Sequence, residues 1–150
     1  SASMSTPTAI DDLAETFDLL GDWEERYRYV IDLGRELEPI TDDERNAATK
    51  VSGCASQVWL VLDPVENGRL HWRGDSDAHI VRGLIALLLR LYNDQPPDGV
   101  LAFDVRGAVE RLGLSEALSS QRSNGLAAMI NRIHADALRS SGSAGPGAPA

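Results

Sequence analysis

The sequence predicts a single α+β domain, mostly helical, in which several helices pack on a small antiparallel sheet. Three observations carry this prediction. Apolar residues recur at spacings of three and four along most of the chain. A short run rich in Val, Leu and Trp (57–62) and a second run (69–73) flank an Asn-Gly pair. The chain has 150 residues, 43% of them hydrophobic, which suffices for one core without disulfide staples.

Residues 1–5 are mostly small and polar, and a flexible N-terminus is expected there, with the domain proper over 6–139. Thr6-Pro7 suits a helix start, the threonine capping and the proline at the first helical position. Ile10, Leu13, Phe17 and Leu20 then mark one helix face, and Gly21 ends it. Asp22, followed by Glu25, caps a second helix whose apolar face is Trp23, Tyr27, Val30, Ile31 and Leu37, closed by Pro39. Residues 41–46 are polar, a helical turn or a loop. Residues 57–62 and 69–73 read as two strands joined at Asn67-Gly68, with Lys50–Ser52 a possible third; Trp59 and Trp72 fall within them and read as core. Asp75-Ser76-Asp77 supplies candidate caps for a core helix from about Ala78 to Tyr92. Short helical segments follow at 100–103 and 105–112, ended by Gly113. A last helix carries Leu126, Met129, Ile130, Ile133 and Leu138. Residues 140–150 form a Gly/Ser/Pro/Ala tail, expected to be disordered.

Composition excludes several functions. With 23 acids against 14 bases the net charge is −9, opposite to what counterion displacement from a nucleic acid requires. The longest apolar stretch, Ile80 to Leu91, falls short of the roughly 20 residues that span a bilayer and contains two arginines, so no membrane span is expected.

The chain has one cysteine, Cys54, so no intrachain disulfide, multi-cysteine metal site or dithiol redox cycle can be built from it. A nucleophile, a sulfur or acyl carrier, an intermolecular partner thiol and a core residue remain. Cys54 sits in Ser52-Gly53-Cys54-Ala55-Ser56-Gln57, a small flexible turn just before an apolar strand rather than inside one. Gly53 frees the backbone there. The context favours a presented thiol, and the absence of a recognisable secretory signal suits a reducing cytoplasm. His71, His79 and His134 lack ligand-type spacing with one another or with Cys54, so no metal site is expected.

Four segments fall in a recognisable order: Trp23-Glu24-Glu25-Arg26-Tyr27; Gly53-Cys54-Ala55-Ser56-Gln57-Val58-Trp59; Gly74-Asp75-Ser76-Asp77-Ala78 with Ile80-Val81-Arg82-Gly83-Leu84; and Arg122-Ser123-Asn124-Gly125-Leu126. Together, over roughly residues 10–139, they resemble the SufE family of sulfur-acceptor proteins, which includes its CsdE paralogues. The resemblance implies a SufE/NifU-like fold with the cysteine on a loop. It implies that Cys54 accepts persulfide sulfur from a pyridoxal-phosphate cysteine desulfurase, stimulates that enzyme, and passes the sulfur to an iron–sulfur scaffold. The pyridoxal phosphate then belongs to the partner, and this chain needs no cofactor.

Such a transfer is a thiol–disulfide-like exchange that asks for one accessible sulfur with thiolate character. Around it, Ser56 and Gln57 can hydrogen-bond the sulfur or, more simply, build the loop. Asp75 and Asp77 are most simply helix caps, with a role in docking as the alternative. Arg122 offers a fixed positive charge for a thiolate, or a salt bridge. Gly53 and Ser52 are expected to make the loop mobile. Two rival functions are a thiol hydrolase or acyltransferase, which needs a base near Cys54, and a docking module that stimulates the desulfurase without carrying sulfur.

Overall fold

A computed structural model describes residues 5–144, with side chains described over 9–141. Among these residues lie seven helices and a two-stranded antiparallel sheet. Helix α1 (Ser5–Leu20) begins one residue before the expected threonine cap; the first four residues lie outside the described residues. It ends where Gly21 takes φ +83°, and Asp22 accepts a 2.9 Å hydrogen bond from the Glu25 amide to start α2 (Trp23–Gly34). Phe17 makes T-shaped ring contacts with Trp23 and Tyr29 of α2, at centroid separations of 5.8 and 6.2 Å.

Helix α2 stops at Gly34, short of the Leu37–Pro39 end expected from the sequence. Its last turn tightens into bonds from Glu36 and Leu37 back to the carbonyls of Leu33 and Gly34, and the chain turns off. Residues 41–46 form a turn closed by reciprocal bonds between Thr41 and Glu44.

The hairpin is as expected, but its second strand is shifted. Strand β1 (Val58–Leu62) pairs with β2 (Trp72–Ser76), Leu62 opposite Trp72 and Val58 opposite Ser76. Asn67 and Gly68 take φ +55° and +74° at the tip, and Glu66 and Arg69 bridge beneath them. Beyond one further ladder bond, from the Asp63 amide to the His71 carbonyl at 2.9 Å, the strand does not continue toward residue 69 because Leu70 is drawn aside. Its amide donates to Gln95 and its carbonyl accepts from Asp94. The strand instead runs on through Gly74, which faces Leu60; a Cβ there would lie 2.9 Å from the Leu60 side chain and 3.0 Å from Ile85. Gly74 thereby lets the next helix lie close on the sheet. The possible third strand reduces to a single bridge, Lys50 to Trp59.

Helix α3 (His79–Tyr92) is the core helix, buried over most of its length. It meets α2 where Gly34 and Gly83 touch: a Cβ on Gly83 would fall 2.1 Å from the Val30 carbonyl oxygen. The short helices α4 (Pro97–Ala102), α5 (Val105–Arg111) and α6 (Leu114–Ala117) follow, α6 being unanticipated; Gly113, at φ +71°, separates the last two. Helix α7 (Ser120–Ala144) closes the domain. It corrects the expected tail boundary, because the helix carries on through residues 140–144; residues 145–150 lie outside the described residues. Leu138, placed by periodicity on the apolar face, is 60% exposed, while its neighbour Ala137 is fully buried. The core gathers Leu60, Leu70, Trp72, Leu84, Ile85, Leu88 and Met129 between sheet, α3 and α7. Among the described residues no helix is long and apolar enough to cross a membrane.

Candidate functional site

The thiol lies on a short loop pinned at both stems. The Val51 amide donates to the Val58 carbonyl at 2.8 Å, closing residues 52–57 into a protrusion from the sheet. At the far stem the Gln57 amide donates to Asp77 Oδ1 at 3.0 Å, and the Asp77 amide returns a 3.3 Å bond to the Gln57 carbonyl. Inside the loop Gly53 takes φ +91°, a conformation that costs little only for glycine. It also passes close to α7, where an added Cβ would stand 3.3 Å from that of Ala128.

This path sets Cys54 half-buried against α7. Its Sγ lies 3.6 Å from the Gly125 carbonyl oxygen, to which the thiol donates weakly. Gly125 has no side chain to fill the space: a Cβ would lie 3.7 Å from Sγ, in ordinary contact, and anything larger would enter the room the sulfur needs. Beside the thiol is a cavity of about 180 Å³, walled by Ser56 from the loop, Val81 and Leu84 from α3, and Arg122, Leu126 and Met129 from α7. Burial pushes the Cys54 thiol above its ordinary range, so the free protein holds it protonated at neutral pH. The Arg122 side chain, exposed at the cavity wall, has no ion-pair partner among the described residues.

Of the residues singled out in the sequence, Gly53, Cys54, Ser56 and Arg122 come together here. Gln57 is exposed and serves the loop through its backbone. Neither aspartate caps a helix. The residue before α3 is Ala78, with no side-chain cap, because Asp75 lies within β2 and its carboxylate is committed to Arg45 at 2.6 Å and Arg82 at 3.0 Å. Asp77 is turned back to clasp the loop. Trp59 is half-exposed with Arg45 over its ring, not core, whereas Trp72 is fully buried. Among the described residues no histidine lines the cavity: His71 is held by Glu38 and Asp94, and His134 by the Tyr92 hydroxyl. None of the described residues forms a cluster of three or more His, Cys, Asp or Glu suited to a metal ion.

Gly125, Met129, Val81 and Leu84 were not singled out by the residue-level reading. Gly125 stood only inside the Arg-Ser-Asn-Gly-Leu segment, and the others read as ordinary apolar positions of a helix. A glycine inside a strong helical pattern was the available signal, since it costs helix stability unless something needs the space.

Comparison with known proteins places this geometry in a family. The family model described as SufE, an Fe-S metabolism associated domain, matches residues 11–137. An uncharacterized SufE-like protein of Rhizobium etli is 48% identical over 133 residues, covering 86% of this chain and 89% of that protein. Another, from Rhizobium meliloti, is 44% identical over 133 residues, covering 87% and 95%. The solution structure of a hypothetical protein from Thermus thermophilus has the same fold, with a TM-score of 0.71 at 22% identity over 87% of this chain and 94% of that one. With a family model spanning most of its length and relatives approaching half identity, the chain belongs to the SufE family of Fe–S metabolism-associated domains.

Proposed function

We propose that this protein accepts sulfur from a pyridoxal-phosphate cysteine desulfurase, stimulates its turnover, and carries the sulfur as a persulfide on Cys54 toward a scaffold for iron–sulfur cluster assembly in the cytoplasm. The observation that carries the reading is the setting of Cys54. The chain's single thiol sits on a pinned loop, half-buried against Gly125, beside a cavity with room for a further sulfur atom. Membership of a family associated with Fe–S metabolism supports the same context.

The step balances without an outside oxidant. Cys54 loses its proton to solvent and its thiolate attacks the outer sulfur of the donor's cysteine persulfide. A bond forms between Cys54 Sγ and that sulfur as the donor's S–S bond breaks, and the electron pair leaves on the donor's inner sulfur as thiolate. The pyridoxal phosphate remains with the desulfurase, and Cys54 needs no cofactor for its part. Burial raises the thiol and so makes the free protein a slow nucleophile. Drawing the loop out of its cavity toward a donor removes that penalty, and the charge of Arg122, without an ion-pair partner among the described residues, favours the thiolate and the persulfide anion.

The test is intact mass after incubation with a cysteine desulfurase, its pyridoxal phosphate and free cysteine, beside a Cys54→Ser control. A gain of one or a few sulfur atoms, removed by reductant and absent from the variant, is expected. Full stimulation of the desulfurase by Cys54→Ser, with no adduct on the parent, would instead make the chain a docking module. Turnover of an ester or amide substrate by the protein alone would make it a thiol enzyme.

A further inference from the structure

Seven residues after Gly125, α7 presents Arg132, two helical turns along the same face. The segment leading into the thiol loop is a turn over residues 47–49, with the Lys50 amide donating to the Asn46 carbonyl at 3.0 Å, and Lys50 then bridges to Trp59 of β1. Residues 49 and 51 face β1: the Thr49 carbonyl accepts from Leu60, and the Val51 amide donates to Val58. The carbonyls of Ala48 and Lys50 are directed instead to α7. Both are taken by one guanidinium, Arg132 Nη2 donating to Ala48 at 2.5 Å and Nη1 to Lys50 at 3.3 Å. Arg132 is itself aimed from behind. Its Nε donates at 3.2 Å to Oδ1 of Asp136, and the indole N–H of the buried Trp72 donates to Oδ2 at 3.1 Å, with Arg139 also on Oδ1. Asp136 is 2% exposed, one of two buried polar side chains among the described residues.

We infer that Arg132, aimed by Asp136 and Trp72, is a positioning residue for Cys54: its fork ties the turn that enters the thiol loop to α7 and so sets how the loop lies on that helix. One helix thereby supplies both the surface against which the sulfur rests and the clamp on the chain leading into the loop. A guanidinium does this where an ammonium would not, because its donors are held in a plane and reach two carbonyls at once. The consequence for sulfur transfer rests on Cys54 being the acceptor, but the clamp itself is open to a test that needs no desulfurase.

That test compares Arg132→Met, which keeps the stem and loses the fork, and Arg132→Lys with the parent protein. Each is alkylated with iodoacetamide across a pH series, alongside amide exchange at residues 51–56 and a thermal melt to register the fold. In the folded Arg132→Met protein the thiol is expected to react severalfold faster at neutral pH, with the midpoint of its pH profile displaced downward as the sulfur leaves its cavity. Loop amides should exchange faster while those of β1 and α3 do not. Arg132→Lys, able to bind one carbonyl at a time, should fall between the two. A folded Arg132→Met protein with the parent's alkylation rate, pH midpoint and loop exchange would overturn the clamp. If the methionine variant fails to fold, the lysine variant decides on the same readouts, parental values again overturning it. Sulfur uptake by the parent protein is a separate experiment, so failure of the acceptor role and failure of the clamp are distinguishable.

Discussion

At Gly125 the thiol leaves room for one added methyl group and little beyond it, a margin that can be tested from both sides. A Cβ there would meet Sγ at 3.7 Å, an ordinary contact. Gly125→Ala is therefore expected to leave sulfur uptake intact and to stabilise α7 by up to about 1 kcal/mol, read from denaturant melts. Gly125→Leu places its branch where the sulfur lies; alkylation of Cys54 and sulfur gain in the mass assay should both drop while helical circular dichroism persists. The loop's own glycine behaves differently. Gly53 sits at φ +91° with Ala128 close by, so Gly53→Ala should cost about 1–3 kcal/mol or push the loop off α7, seen as faster exchange over residues 51–56. Cys54, Gly53 and the Arg122 segment were legible in the sequence because thiols, glycines and fixed charges advertise chemistry by residue type. Arg132 was not, since one arginine on a helix looks like any solvated charge until the carbonyls it meets, more than 80 positions earlier in the chain, are brought beside it.

Among the elements, the α2–α3 pair shows how close approach is built from glycine. Gly83 has no room for a methyl group, with the Val30 carbonyl oxygen 2.1 Å from where a Cβ would stand. Backbone cannot yield as a side-chain tip can. Gly83→Ala is expected to destabilise the domain by about 1–3 kcal/mol through separation of the two helices, despite the better helix propensity of alanine, and the thermal melt checks it. Periodicity located both helices but not this contact, because an apolar stripe says that a face is buried and not how closely its partner comes. The same limit explains the shifted second strand: residues 69–73 read as a strand from their place after the Asn-Gly turn, yet Leu70 bonds to the segment after α3 and the strand proper begins at Trp72.

Across the whole molecule, two polar assemblies tie distant segments together. Trp72, Asp136, Arg132 and Arg139 join the sheet to α7, and Asp136→Ala would leave the buried indole N–H of Trp72 facing an apolar side chain and two arginines without their carboxylate. A loss of about 3–5 kcal/mol is expected, with the indole of Trp72 reporting the change by fluorescence. On the other side His71 is held between Glu38 at 2.5 Å and Asp94 at 3.0 Å. Burial works against its charge, but the bonds to the two carboxylates outweigh that, and its pKa is raised above 6.5. The folded state therefore binds the proton more tightly than the unfolded chain. The resulting stability is complete below 6.5 and is lost as pH rises through the folded pKa. Urea midpoints should fall over that window in the parent and lose this component in His71→Gln. Glu44 acts in the opposite sense: hydrogen bonds first from Arg73 and then from the Thr41 amide hold it down to about 2, so its contribution is present above 4.5 and disappears as pH falls toward 2.

By itself the sequence determined the α+β class, the Asn-Gly hairpin, the core helix, the position of the single thiol before an apolar strand, and the resemblance that the family comparison bears out. These follow from residue types and short-range spacing, which act over a few positions of chain. Tertiary structure alone decided that Asp75 and Asp77 hold arginines and a loop stem rather than capping α3. It decided too that Trp59 lies half-exposed while Trp72 is buried, and that Gly125 and Arg132 of α7 form the floor and the clamp of the thiol loop. Each of those outcomes depends on which unpaired backbone group or charge arrives opposite a side chain once remote segments pack. Local pattern carries no record of that encounter.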